Sequence, residues 1–483
     1  MLQDLRAVLL VLGVLLSVLG GAMLAPMTVD LATGNRDWRA FAEGAAITLF
    51  FGGALTIANW GQVDSLSVRG AFLLTTGAWL VLGAFAAAPL YYAGLGLSAA
   101  EAFFEAVSGL TTTGATVLTG LDGLPAGVLL WRAILQWIGG IGIIVMALAV
   151  LPMLRVGGMQ LFRLESSDTS EKLLPRAREI AGSIAAIYLG LSVACAIAYV
   201  AAGMGPFDAI THAMTTVSIG GFSTSDRSMG AFTQYGADLV CVVFMLLAAL
   251  PFGLYVLAVR GHTARLLRDD QVRLFLSMAA MLVMAIIVYL WAVDIHEPAE
   301  GLRLALFNVV SIMTTTGYAT GDYTLWGGAA ACFFFMIAFL GGCAGSTAGG
   351  IKTFRIHIGV LALRSYVLSM ARPHITHRPY YNGRPVTDAE VFSVLSFLFI
   401  FLGCFTVLAI YLSMLGLDMQ TALSGAVAAM SNVGPGVGPV IGPAGTYQPL
   451  PDAAKWVLAL AMIVGRLEVV TALVLLTPSF WRG

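Results

Sequence analysis

Leu239–Val259 and Val391–Leu412 run almost without a polar residue, each over a length that matches the thickness of a membrane. A helix needs about 20 mainly apolar residues to cross the hydrocarbon layer. A barrel strand would instead alternate apolar and polar side chains over about 10 residues, and these runs do not alternate. In lipid every backbone polar group must find its partner within the protein, so continuous runs read as helices. Composition agrees: the chain is 59% hydrophobic and 11% charged, against about 25% charged for a soluble domain. A soluble enzyme, a disordered chain, a collagen and a disulfide scaffold are all excluded. What is left is an all-α polytopic membrane protein.

Ten spans are expected, near 5–25, 43–60, 70–94, 126–153, 180–203, 236–260, 273–293, 327–370, 390–415 and 453–478. The eighth is too long for one crossing and is interrupted at Gly341–Lys352. Leu9–Leu19 could pass for the core of a secretory signal, but Asp4 beside Arg6 suits the first span better. Most of the 25 lysines and arginines fall on the side that holds both termini when the N-terminus is cytoplasmic, and the positive-inside rule then places both ends inside. Arg36, Arg39, Arg132, Arg227, Arg303 and Lys455 fall on the outer side, and Arg466 lies within a span. The net charge of −1 gives no sign of a nucleic-acid partner. The five cysteines are scattered through apolar segments, without disulfide or metal-ligand spacing.

Four short semi-polar segments sit between spans and resemble one another: Phe104–Thr116, Thr211–Ser223, Phe307–Ala319 and Ser424–Gly436. Aligned on Gly114, Gly221, Gly317 and Gly434, each has a hydroxyl three residues earlier, at Thr111, Ser218, Thr314 and Ser431. With one span before and one after each, the chain reads as four copies of helix, pore loop and helix around a central pore, plus two extra N-terminal helices. The units are 1–66 for the extra helices, then 67–155, 156–262, 263–375 and 376–483. A segment too short to cross must enter and return on the outer side, and irregular backbone at membrane depth survives only where protein buries it or water lines it. Glycine supplies positive φ and no side chain where four loops meet. Carbonyls turned to the axis can replace a cation's water, and hydroxyls can add oxygen ligands. Oxygen ligation without a ring of carboxylates suits a monovalent cation. The candidate filter residues are Thr111, Thr112, Thr113 and Gly114; Ser218, Ile219, Gly220 and Gly221; Thr314, Thr315, Thr316 and Gly317; and Ser431, Asn432, Val433 and Gly434. Gly220 and Gly221 both remain candidates for the second filter glycine, with a common offset from Glu105, His212, Asn308 and Gly425 favouring Gly221.

The interruption in the eighth span is rich in glycine, at about 1 kcal/mol each against alanine in a helix. It reads as an unwound intramembrane loop below the filter, with Gly345, Ser346, Thr347, Gly349, Gly350 and Lys352 as gate candidates. It is no phosphate loop, because Ile351 separates Gly350 from Lys352 and no strand precedes it. Arg466 is the basic residue deepest in a span, and such a charge marks a functional site that needs a partner. Placed on the axis, it would repel a cation. Glu468, two residues on, faces a different side of the helix, so a direct pair is left open. Carboxylates at Glu101, Glu105, Asp122, Asp208, Asp226, Asp294, Glu297, Glu300, Asp322, Asp418 and Asp452 would make an acidic outer mouth that concentrates cations. Basic clusters at Arg155–Arg178, Arg260–Arg273 and Lys352–Arg384 face inward. His212 reads as a packed neutral ring, and His374 and His377 as solvated.

These motifs resemble the Trk/Ktr/HKT superfamily of potassium transport proteins, and its bacterial TrkH subunits most of all. The matching stretches are TTTGAT at Thr111–Thr116, TVSIGGFST at Thr216–Thr224, TTTGYAT at Thr314–Thr320, SNVGPGVG at Ser431–Gly438, GSTAGGIK at Gly345–Lys352 and the terminal Gly465–Arg482. The resemblance implies a bacterial inner-membrane location, a homodimer, K⁺ as the transported ion with no covalent cofactor, and a cytosolic TrkA-type nucleotide-binding regulator. It also implies that the last-helix arginine and the glycine loop form a gate. No loop carries a full TVGYG run, so modest K⁺ over Na⁺ discrimination is expected, with Rb⁺ also passing. The alternative is a symporter coupling K⁺ to H⁺ or Na⁺, with Glu468 as the coupling group. A serine protease built on Ser346 fails, since His357 shares its span and no other histidine lies at that depth.

Overall fold

The computed structural model describes residues 2–61, 67–146, 173–372 and 379–482. The basic cluster Arg155–Arg178 and the histidines His374 and His377 lie outside the described residues or side chains.

The chain opens with α1 (Leu2–Ala22) and α2 (Leu24–Thr33), which together make one long apolar segment, followed by α3 (Trp38–Ala58). Helices in lipid gain little from hydrophobic burial against each other, so small residues bring the backbones close. Gly13 and Gly52 do this here: an added Cβ would lie 2.7 Å from Thr56 N at Gly13 and 2.6 Å from Ser17 Oγ at Gly52.

One order of elements then occurs four times: long helix, short helix, loop, second helix. The first set is α4 (Val68–Tyr92), α5 (Ala99–Leu110) and α6 (Ala126–Val145). The second is α7 (Leu173–Ala201), α8 (Pro206–Val217), and α9 (Ala237–Ala248) with α10 (Phe252–Val259). After the short α11 (Ala264–Arg268) come α12 (Asp270–Val293), α13 (Pro298–Met313), α14 (Gly328–Ile337) and α15 (Thr353–Ala371). A hairpin of β1 (Tyr380–Tyr381) and β2 (Arg384–Pro385) leads to α16 (Asp388–Met414), α17 (Met419–Ser431), α18 (Asp452–Arg466), α19 (Val470–Val474) and α20 (Pro478–Arg482).

The short helices begin at strong start signals. Ser98 and Glu101 form a reciprocal capping box on α5, Pro206 and Pro298 open α8 and α13, and Asp418 accepts from Thr421 N on α17. Burial departs from that of a soluble protein at the rim and at the centre. Ile57, Phe399 and Val407 are exposed on the long helices, while Glu105, His212, Asn308 and the hydroxyl-rich loops are buried at the centre. The lipid-facing rim is apolar, and these polar groups lie within an interior that is otherwise apolar.

Ten spans were expected. Among the described residues eight helices are long and apolar enough to cross, or nine if the bent pair α9–α10 counts as one. The difference comes from breaks. The eighth expected span is interrupted as anticipated. The sixth, expected to be continuous, turns by 89° between α9 and α10, where Pro251 removes a backbone donor. The tenth stops at Arg466, leaving α18 with 15 residues, because Glu468 and Val469 take φ of 61° and 49°.

Candidate functional site

The four short helices end in the same way. Thr113, Gly220, Thr316 and Val433 donate their N–H to the carbonyls of Ser108, Thr215, Ser311 and Ala428 at 2.8, 2.8, 2.8 and 3.0 Å. Thr112, Ile219, Thr315 and Asn432 donate to Gly109, Thr216, Ile312 and Ala429. This is the paired closure that ends a helix on a left-handed residue, a place usually held by glycine. Here φ is 52° at Thr112, 55° at Ile219, 67° at Thr315 and 54° at Asn432. Three of these are β-branched, for which positive φ is costly. Two residues on, Gly114, Gly221, Gly317 and Gly434 take φ of 83°, 77°, 81° and 99°. Gly221, not Gly220, therefore shares the conformation of the other three.

Each of those glycines faces the next loop. A Cβ on Gly114 would strike the Gly220 carbonyl oxygen, on Gly221 that of Thr316, on Gly317 that of Val433, and on Gly434 that of Thr113. The contacts run from first loop to second, third, fourth and back to the first, so the loops close a ring with no room for a methyl group. On its outer side the four glycines line a cavity of about 230 Å³ that also touches Asp226 and Arg132.

The hydroxyls are mostly spent within the protein. Thr111 and Thr314 donate to Val107 O and Val310 O at 2.7 Å, and pair with Thr113 and Thr316 at 2.7 and 2.8 Å. Ser218 bonds Thr215 O at 3.2 Å. Among the described residues Thr112 Oγ1, Ser431 Oγ and Asn432 Oδ1 are buried with no hydrogen-bond partner.

Side chains brace the ring from outside. Glu105 and Arg132, both buried, pair at 2.8 Å. Arg132 also donates to Ser223 O at 2.9 Å and sits over the Phe222 ring, while Glu105 accepts from Val117 N at 2.9 Å. Counted by sequence among outer-side charges, Arg132 is instead an internal tie between the first two loops. Lys455 is likewise buried and pairs with Glu101 at 2.7 Å, and Arg303 meets Asp238 at 2.5 Å. His212 places Nδ1 2.8 Å from Asp208 O and Nε2 2.9 Å from Ser223 Oγ. A neutral ring serves both contacts, donating to the carbonyl and accepting from the hydroxyl. Asn308 spans the third loop by bonding Thr320 Oγ1 at 3.0 Å.

Beneath the ring lies the interrupted eighth span. A bridge between Leu340 and Ile351 pinches off residues 341–350. Gly349 N donates to Thr315 Oγ1 at 2.7 Å, and a Cβ on Gly349 would strike Ser431 O. Thr347 Oγ1 bonds Val217 O at 3.1 Å and Ala248 O at 3.2 Å. The bend between α9 and α10 receives the loop: Cys343 N donates to Ala249 O, and Phe252 N to Gly345 O, both at 2.9 Å. Gln271 Oε1 accepts from Ala344 N at 2.7 Å. Pro251 was the sequence signal for this seat. Ser346 Oγ bonds Cys343 O at 2.6 Å, Gly345 and Gly350 take φ of 74° and 64°, and Lys352 Nζ donates to Ala348 O. Arg466 Nη2 donates to Thr347 O at 3.0 Å, while its Nε and Nη1 are buried with no hydrogen-bond partner among the described residues. Glu468 pairs with the buried Arg355 rather than with Arg466. Every sequence-named gate residue thus meets at one place, under the ring.

The chain matches the family model described as "Cation transport protein", TrkH, over residues 38–482. It is 46% identical to the Trk system potassium uptake protein TrkI of Halomonas elongata over 98% of this chain and 96% of that one. It is 37% identical to the Trk system potassium uptake protein TrkH of Escherichia coli K12, over 99% of both. The crystal structure of the potassium transporter TrkH from Vibrio parahaemolyticus superposes with a TM-score of 0.91 at 36% identity, covering 99% of this chain and 100% of that one. A polytopic all-α chain that matches over this length belongs to the TrkH family of cation transport proteins.

Proposed function

We propose that this chain carries K⁺ into the cell through the ring of four loops, as a passive pore gated from below. The observation that carries the reading is the cyclic contact of Gly114, Gly221, Gly317 and Gly434 with the carbonyl of the next loop. Four equivalent turns at one axis, each preceded by a helix whose carbonyl end carries partial negative charge, favour a cation there. Backbone carbonyls are the main ligands, since most of the threonine hydroxyls are engaged. The four units are read as pseudo-repeats with the boundaries expected from sequence.

The loop at 341–350 and Arg466 are the closed gate. The loop fills the path, and a buried guanidinium with two unpaired N–H groups opposes a passing cation. Symport with H⁺ or Na⁺ is the competing reading, with Glu468, which pairs with Arg355, as its coupling group. Family resemblance supports a homodimer, a TrkA-type regulator on the basic inner face, an inner-membrane location and cytoplasmic termini.

The test is ⁸⁶Rb⁺ uptake into liposomes holding the purified chain, driven by a K⁺ gradient, with Na⁺ as competitor and imposed pH gradients. Uptake should follow the K⁺ gradient, ignore pH and be inhibited weakly by Na⁺. Uptake that requires a proton or sodium gradient would establish symport, and sharp exclusion of Na⁺ would contradict modest selectivity.

A further inference from the structure

We infer that Gln136 on α6 is a positioning residue that fixes the second loop of the ring and through it the preference among monovalent cations. The inference rests on the pore reading above. In the first and third loops the residue before the ring glycine is a threonine, and Thr113 and Thr316 lock onto the hydroxyl two residues earlier. The second loop has Gly220 in that place and no hydroxyl to do this. The space is not vacant. A Cβ on Gly220 would land on the Gln136 carboxamide. A neighbouring helix thus supplies the side chain that the second loop lacks.

The carboxamide is fully buried. Its Nε2 donates to Gly220 O at 2.6 Å and its Oε1 accepts from Phe222 N at 3.1 Å. Those two groups flank Gly221, so one side chain grips the turn on both sides. A carbonyl accepts only and an N–H donates only, so the grip needs a neutral group with both functions, which among side chains of this reach means an amide. The Gly220 carbonyl is also the one that abuts Gly114. Gln136 therefore sets the contact between the first and second loops. Discrimination between ions of similar charge depends on where such carbonyls stand and how freely they move.

The test measures ⁸⁶Rb⁺ uptake by the full chain in liposomes, and the K⁺ and Na⁺ concentrations that halve it. The variants are Gln136→Leu and the double variant Gln136→Ala with Gly220→Thr. In Gln136→Leu, uptake should remain measurable while the K⁺ over Na⁺ preference falls about five- to tenfold, as for loss of one or two buried hydrogen bonds. The double variant restores a hydroxyl that can bond Ser218, and should recover the preference to within about twofold of the parent. An unchanged preference in Gln136→Leu, or no recovery in the double variant, overturns the inference. If Gln136→Leu fails to fold, Gln136→Met, which keeps the length of the side chain and loses both the donor and the acceptor, replaces it, and a parental preference there overturns the inference equally. Failure of the pore reading shows separately, as parental uptake that needs a proton or sodium gradient.

Discussion

At the scale of single residues, the ring turns on side chains that are missing. Gly317 holds φ of 81° against the Val433 carbonyl. Gly317→Ala adds both a clash and left-handed strain of about 1–2 kcal/mol, so ⁸⁶Rb⁺ uptake by the folded variant should fall by at least about tenfold. These glycines were legible in the sequence because each sits at a fixed offset from a hydroxyl in four matched segments. Arg132 was not. An arginine between Trp131 and Ala133 near a helix start looks like a loop charge, and only the fold shows Glu105 facing it at 2.8 Å. Removing one partner of a buried pair costs about 3–5 kcal/mol, whereas replacing both with apolar residues costs much less. Arg132→Ala should therefore lower the thermal midpoint in detergent markedly, and Arg132→Met with Glu105→Leu should return most of it. Equal midpoints for the single and double variants would show that the pair is not coupled.

At the scale of elements, three of the four helices that follow the pore loops break or stop short, and the proposed gate is built from those breaks. One break was legible as a glycine run at 341–350. The bend between α9 and α10 was signalled only by Pro251, which a long apolar run hides. The stop after Arg466 had no sequence signal of its own, since Glu468 and Val469, which take positive φ, are not helix breakers. These breaks bring the loop, the bend and Arg466 together below the ring. Arg466→Ala removes the charge and the bond to Thr347 O, so basal ⁸⁶Rb⁺ uptake should rise several-fold; unchanged uptake in folded protein would contradict the gate. Thr315→Val removes the hydroxyl that accepts from Gly349 N. It should raise basal uptake too, by a smaller factor, because one hydrogen bond contributes about 0.5–1.5 kcal/mol. No rise would mean that this contact does not hold the loop closed.

At the scale of the whole molecule, the sequence predicts an all-α membrane protein with four similar short segments, and in the fold those segments end in matching turns. Order and class were legible because membrane thickness fixes helix length. Which of the expected spans are unbroken helices was not, because a hydropathy window cannot see a bend that another segment fills. In the proposed pore the cation passes where the four loops meet. Anomalous diffraction from crystals of the chain grown in Rb⁺ tests it directly. A peak on the axis beside Gly114, Gly221, Gly317 and Gly434 is predicted, and it should be lost when Na⁺ replaces Rb⁺. Rb⁺ bound only away from that ring would contradict this path.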